Sequence, residues 1–307
     1  MFNWIESLYL NQQSINKSSG RVILACRDIN KAKEAVNDIK ENVSKIQENN
    51  LEDELGELEI CQLNLNSLAN IKKCAQHLLT TESNIHILIN NAGIFLHPFE
   101  KTKDGFETHF QVNYLGHFLL TLLLLPKIEE SGSGCRIINV SSLAHKYGDI
   151  NLEDLNLEHC YSPIKGYCQS KLANILFTKE LNNKLRAAGI QNINVYSLHP
   201  GIVKTELPRY LDASYFRGAR LISSLINPLM KTPEQGAQTT IYCAIDENAG
   251  KESGLYYDNC RVVNPSIKAC DPELANKLWK CSCELLGLSS DIGLKELSKI
   301  ISNKEII

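Results

Sequence analysis

The chain has 307 residues, a formal net charge of −3, 43% hydrophobic residues and 22% charged ones. This is the balance of a globular protein with a full core. It argues against a strongly basic nucleic-acid-binding surface and against an electrostatic membrane partner. The 11 cysteines are scattered without paired C-x-x-C sets, which reads as reduced thiols in a reducing compartment. Cys281 and Cys283 have no neighbouring histidine to complete a ligand set, so no metal is expected.

Residues 1–19 form an atypical N-terminal segment. It carries Glu6 and lacks a basic region ahead of an apolar stretch, so it does not read as a signal peptide. Trp4, Ile5 and Leu8 fit a helical stripe. Residues 21–26 (R-V-I-L-A-C) are a short apolar run suited to a buried strand, closed by Arg27 and Asp28, and a charged helix follows at about 30–48. Residues 58–65 are the next strand, and Ser67 can cap the helix after it. Residues 85–89 (I-H-I-L-I) form a third strand that ends in Asn90-Asn91-Ala92-Gly93.

A long helix is expected at about 103–129. It contains Asn113 and the leucine run from Phe118 to Leu125, which Pro126 closes. That run is far short of the ~20 residues that span a bilayer. It reads as a buried helix or, alternatively, as a subunit interface in a homodimer. Residues 135–140 are a strand ending at Ser141-Ser142, residues 193–198 a strand ending at His199-Pro200-Gly201, and a helix between them holds Tyr167 and Lys171. Residues 202–232 are mixed and suit either a lid over an apolar ligand or a connecting helix pair. Pro233 starts a helix, Gly254–Tyr257 is a last strand, and 271–287 is a final helix begun by Asp271-Pro272. A polar tail covers 289–307.

Five apolar strands alternate with helices, which predicts a doubly wound parallel sheet in one α/β domain, residues 20–288. Arg27, Asn64, Asn90, Ser142 and Pro200 all fall at the carboxyl ends of strands, where ligands bind in open α/β sheets.

Tyr167 and Lys171 are four apart, so on a helix both side chains share one face, roughly 6 Å apart at Cβ. A lysine beside a tyrosine favours the phenolate and turns the phenol into a usable general acid/base. The hydroxyl of Ser142, aimed at the same point, would hold a substrate oxygen. His145 lies beside that serine, but no G-x-S-x-G surrounds Ser142, which argues against serine hydrolysis. His199 reads as a packed strand-end residue.

Taken together, Asn90-Asn91-Ala92-Gly93, Asn113, Ser142, Tyr167-x-x-x-Lys171 and Pro200-Gly201, in this order, resemble the short-chain dehydrogenase/reductase family. The strings A-C-R-D around Arg27, V-N-Y-L-G-H-F, N-V-S-S-L-A-H, S-K-L-A-N and L-H-P-G-I-V-K-T resemble its retinol dehydrogenase branch, from about Gly20 to residue 285. The resemblance implies that Tyr167 moves the hydroxyl proton, Lys171 lowers its pKa and holds the nicotinamide ribose, and Ser142 binds the reacting oxygen. It further implies that Asn113 holds a relay water, that Asn90, Ala92 and Gly93 line the adenosine side of a dinucleotide, and that Pro200, Gly201 and Thr205 border the nicotinamide. Asn64 stands where the family usually has an aspartate near the adenine. Arg27 is placed to meet a ribose 2′-phosphate, favouring NADP(H) over NAD(H). The implied substrate is an apolar alcohol or carbonyl compound, such as retinol, retinal or a lipid aldehyde. Members of the branch are often membrane-anchored through the N-terminus; no signal peptide or transmembrane anchor is read in this chain, so the expected location is cytoplasmic, or peripheral to an intracellular membrane.

The family's opening strand and its T-G-x-x-x-G-x-G turn do not occur here. Only Gly20 and Gly56 precede Gly93, so no glycine-rich phosphate loop can be built from these residues. The absent strand would be central, between those starting near 21 and 85. This opens an alternative, a truncated, non-catalytic family member acting as a binding or regulatory protein.

Overall fold

A computed structural model describes residues 20–47, 56–204 and 230–289, with 293, 294 and 296. Strand β1 (Arg21–Cys26) pairs in parallel with β2 (Glu57–Gln62), Arg21 lying opposite Glu57 and Cys26 opposite Gln62. Strands β3 (Ile87–Asn90), β4 (Cys135–Val140), β5 (Ile193–His199) and β6 (Leu255–Asp258) pair in parallel in that order, and β7 (Arg261–Val262) adds antiparallel to β6. The intervening helices are α1 (Ile29–Gln47), α2 (Leu68–Thr81), α4 (Pro163–Ala187), α5 (Pro233–Ile245) and α6 (Pro272–Leu285). Helix α3 runs continuously through Thr108–Phe110, a π-helical turn Gln111–Leu115 and Gly116–Glu130.

Alternate residues of the central strands face opposite layers, as the period of two requires. Cys135 and Ile137 of β4, with Ile193 and Val195 of β5, enter the large core built on α3, α4 and α6. Ile138 and Val140, with Tyr196 and Leu198, pack instead on Ala237 and Ile241 of α5. Helices therefore cover both faces, which is why these strands read as unbroken apolar runs. In the first pair, Leu24 packs on Val36 and Ile39 of α1, while Cys61 turns to the large core.

The caps foreseen from sequence are present. Ser67 accepts from the Asn70 amide, Pro233 opens α5 behind a Thr232–Gln235 capping box, and Asp271 accepts from the Glu273 and Leu274 amides.

Several expectations are corrected. The strand expected at 85–89 is Ile87–Asn90, and α3 begins at Thr108 rather than near 103. Its expected end near 129 agrees with Glu130, the helix continuing past Pro126 with Ile128 buried. The run itself is buried within the chain from Phe118 to Leu125, so it is core and not a subunit surface.

The sheet is divided. Among the described residues, β1 pairs only with β2, and the outer edge of β3 has no strand partner. Leu88 and Ile89 are only half-buried, unlike Ile137 and Ile138 opposite them on β4. All 11 cysteines are free thiols. Among the described residues, no helix is long and apolar enough to cross a membrane. Most of the tail beyond 289 and most of the expected lid, 205–229, lie outside the described residues, as does the segment 1–19.

Candidate active site

The site forms where β4 ends against α4. Ser141 donates its hydroxyl to the Lys171 carbonyl at 2.7 Å, which ties the strand end to the helix. Ser142, extended at φ −158°, starts a 3-10 turn (Leu143–Tyr147) and accepts from the Ala144 amide at 3.2 Å. Its hydroxyl lies near enough to the Tyr167 phenol to draw the phenol's pKa downward. Tyr167 and Lys171 occupy one face of α4, with the Lys171 Nζ 5.8 Å from the centroid of the Tyr167 ring. The serine, tyrosine and lysine expected from sequence are thus brought together.

The electrostatics differ from the expectation. Burial pushes the Tyr167 phenol up to about 12, and the nearby Ser142 hydroxyl pulls it only partly back. Burial lowers the Lys171 ammonium to about 8. The net shift of the phenol is therefore the reverse of that foreseen from the lysine alone, because desolvation of the buried phenol dominates. Lys171 donates from Nζ to the Val140 carbonyl at 2.9 Å, and Asn174 donates to the same oxygen at 3.1 Å.

Asn113 sits in the π-helical turn of α3, a distortion that often marks functional sites. Its Oδ1 accepts from the Ile94 amide at 2.8 Å, and its Nδ2 donates to the Ile94 carbonyl and to Ser170 Oγ. Both amide hydrogens are therefore used within the protein. Gly93 lies directly above this group. A Cβ there would stand 3.3 Å from Asn113 Oδ1 and 3.5 Å from Lys171 Nζ, so a larger side chain would intrude on both.

Asn90 is buried and donates to Thr121 Oγ1 and Asn139 Oδ1, while its own Oδ1 has no partner. Asn64 uses its Oδ1 on the Asn66 amide. Arg27 is exposed at the end of β1. Gly201, at φ +96°, packs against the Lys231 side chain in a conformation that favours glycine. Pro200 lies at the end of β5, and Thr205 falls outside the described residues.

Two histidines frame Ser142 without facing its hydroxyl. His145 donates from Nδ1 to the Ser142 carbonyl at 2.7 Å and accepts at Nε2 from the Ser266 amide. His199 accepts at Nδ1 from the Leu143 amide at 3.2 Å. Burial pushes both below the usual imidazole range, which suits neutral rings that hold the loop. Residues that sequence reading missed complete the site. Ser170 and Asn174 lie on the Tyr167 helix, and a buried Glu107–His109 pair packs beside it. Its only sequence signal is two polar residues set among Phe106 and Phe110.

A doubly wound sheet with its reactive groups at the carboxyl ends of strands defines the Rossmann-like class of α/β proteins. A family model described as short chain dehydrogenase matches residues 17–215. Retinol dehydrogenase 11 of Mus musculus is 40% identical over 279 residues, covering 91% of this chain and 82% of the mouse protein. Retinol dehydrogenase 14 of Homo sapiens is 42% identical over 275 residues, covering 87% of this chain and 79% of the human protein. The solved structure of an uncharacterised protein from Mycobacterium paratuberculosis aligns with a TM-score of 0.70 at 30% identity, covering 95% of this chain and 91% of that one. The chain belongs to the short-chain dehydrogenase/reductase family and is a retinol dehydrogenase-like oxidoreductase within it.

Proposed function

We propose that the chain interconverts an apolar alcohol and its aldehyde or ketone, with Tyr167 as general acid/base, Ser142 holding the reacting oxygen and NADP(H) as the redox partner. The observation that carries this reading is the cluster at the end of β4 of a half-buried Ser142 with buried Tyr167 and Lys171. A phenol held near 12 is protonated at neutral pH and is poised to give its proton to a carbonyl oxygen as it becomes an alkoxide. Lys171 stands behind it, and the Ser142 hydroxyl stabilises the charge developing on the oxygen. The nicotinamide cofactor, when bound, supplies the hydride.

An apolar substrate is favoured by the residues bordering the cluster. Leu143 follows Ser142, Ile164 lies one helical turn before Tyr167, and Ile202 follows Gly201; all three are exposed large hydrophobics. Arg27, exposed at the end of β1, favours a 2′-phosphate and hence NADP(H).

The residues fit one half of the dinucleotide better than the other. Lys171, Tyr167 and the close-packed Gly93 suit the nicotinamide ribose. The described residues offer no glycine-rich turn leading into a helix between β1 and β3 to take the pyrophosphate. That observation supports a second reading, a family member that binds or regulates without turnover.

One experiment separates the two readings. NADPH is titrated into the purified chain by fluorescence, with NADH as control, and all-trans-retinal is then added. Saturable micromolar NADPH binding followed by oxidation supports the enzyme. Absence of binding in a chain that is folded by circular dichroism supports the non-catalytic reading.

A further inference from the structure

The Glu107–His109 pair is fully buried, yet it contacts none of the Ser142, Tyr167 and Lys171 polar atoms directly. Glu107 Oε1 accepts from His109 Nδ1 at 2.8 Å and from the His109 amide at 2.9 Å, and its Oε2 accepts from the Phe110 amide at 2.7 Å. His109 Nε2 accepts from the His97 amide at 3.0 Å. Because Nε2 is an acceptor, the ring hydrogen is on Nδ1 and the imidazole is the neutral tautomer. One side-chain pair thus locks the loop after β3 to the first turn of α3.

The same pair meets α4 at the residue before Tyr167. A Cβ on Gly166 would lie 3.0 Å from His109 Nδ1 and 3.4 Å from Glu107 Oε1. The helix backbone rests on the pair, and a side chain at Gly166 would require the pair to give way by a few tenths of an ångström. The Tyr167 ring lies edge-on to Phe95 at 4.6 Å and edge-on to His109 at 6.4 Å between centroids. Its rotamer is therefore confined on two sides. A buried carboxyl group held by a neutral imidazole is costly to desolvate and is seldom better for stability than an apolar replacement of equal volume, so its place under this helix turn calls for another explanation.

We propose that Glu107 and His109 are positioning residues that set the depth and ring orientation of Tyr167 through Gly166 and the His109 ring. This rests on the reading of Tyr167 as the acid/base. Displacement of a reacting group by about 1 Å can cost ~100-fold in rate.

The test compares the full chain with His109→Phe, which keeps ring volume and removes both nitrogen bonds, and with His109→Gln, which can still accept from His97 and donate to Glu107. Two readouts are used. The first is kcat and KM for all-trans-retinal with NADPH. The second is the fluorine spectrum of 3-fluorotyrosine placed at position 167, which needs no turnover. Positioning predicts that His109→Phe lowers kcat ~100-fold with KM within threefold, that His109→Gln recovers most of it, and that the single sharp fluorine line of the wild type splits or broadens only in His109→Phe. Unchanged kcat with an unchanged fluorine line in His109→Phe overturns the proposal. If the wild type shows no turnover, the enzyme reading fails, and the fluorine comparison alone decides the positioning claim. If His109→Phe does not fold, Gly166→Ala is measured in the same two ways, with the same outcomes.

Discussion

Asn113 grips both backbone groups of Ile94, accepting from its amide at 2.8 Å and donating to its carbonyl at 3.0 Å. This is the pairing of an antiparallel strand, made by a side chain. It fixes the loop after β3 against the π-helical turn of α3 and against Ser170 on α4. Asn113→Leu keeps the volume and leaves the buried amide and carbonyl of Ile94 without partners. At 1–3 kcal/mol for each buried unsatisfied group, the expected loss is roughly 3 kcal/mol. Urea unfolding measures it. A loss below about 1 kcal/mol would show that the loop finds other partners.

Tyr167→Phe removes one oxygen from a ring already held by Phe95 and His109, so folding should be retained. Retinal reduction should fall by a factor of roughly 10²–10⁴, the usual contribution of a general acid. NADPH affinity should stay within a few fold. Steady-state kinetics and fluorescence titration on the same preparation check both parts. Undiminished turnover would remove Tyr167 from the mechanism.

Arg27 is exposed at the end of β1 and makes no ion pair with the carboxylates that surround Arg21. Its replacement should therefore leave stability nearly unchanged. Arg27→Leu is expected to weaken NADPH binding about tenfold or more and to leave NADH binding as it was, because only the 2′-phosphate differs between them. Equal weakening of both cofactors would place Arg27 elsewhere in binding.

The elements were legible where burial is uniform. Residues such as Ile137, Ile138, Val195 and Leu198 are apolar in unbroken succession because helices cover both faces of their strands. The Tyr167–Lys171 pair was legible because spacing on a helix fixes which side chains share a face. The π-helical turn at 111–115 was not, since one extra backbone residue leaves no mark in composition. The far end of α3 was legible, the helix expected to about 129 running past Pro126 to Glu130 with Ile128 buried against the core. The direction of the Tyr167 shift depended on how deeply both groups are buried. Glu107 and His109 look like solvated polar residues until the fold places them under Gly166.

Lys171 sits in the interior at a cost. Its ammonium falls from the ordinary 10.5 to about 8 because burial disfavours the charge. Among the described residues its only hydrogen-bond acceptor is the Val140 carbonyl, which Asn174 also satisfies. Below pH 8 the side chain is charged in both folded and unfolded states, and the folded state carries the full desolvation cost, about 3 kcal/mol at 1.36 kcal/mol per pKa unit. Between pH 8 and 10.5 the unfolded chain binds more protons than the folded one, so this cost fades as pH rises. Lys171→Met removes the charge and keeps the stem, and Val140 retains its bond from Asn174. The variant should therefore be more stable than the wild type at pH 7, by up to about 3 kcal/mol, and inactive in retinal reduction. The difference between the two proteins should shrink steadily from pH 8 to pH 10, since the other titrating groups are common to both. Denaturant unfolding at pH 7, 8, 9 and 10 reads the difference directly. A Lys171→Met protein less stable than the wild type at pH 7 would mean that the ammonium makes a net contribution to the fold, and that this site gives up no stability for its chemistry.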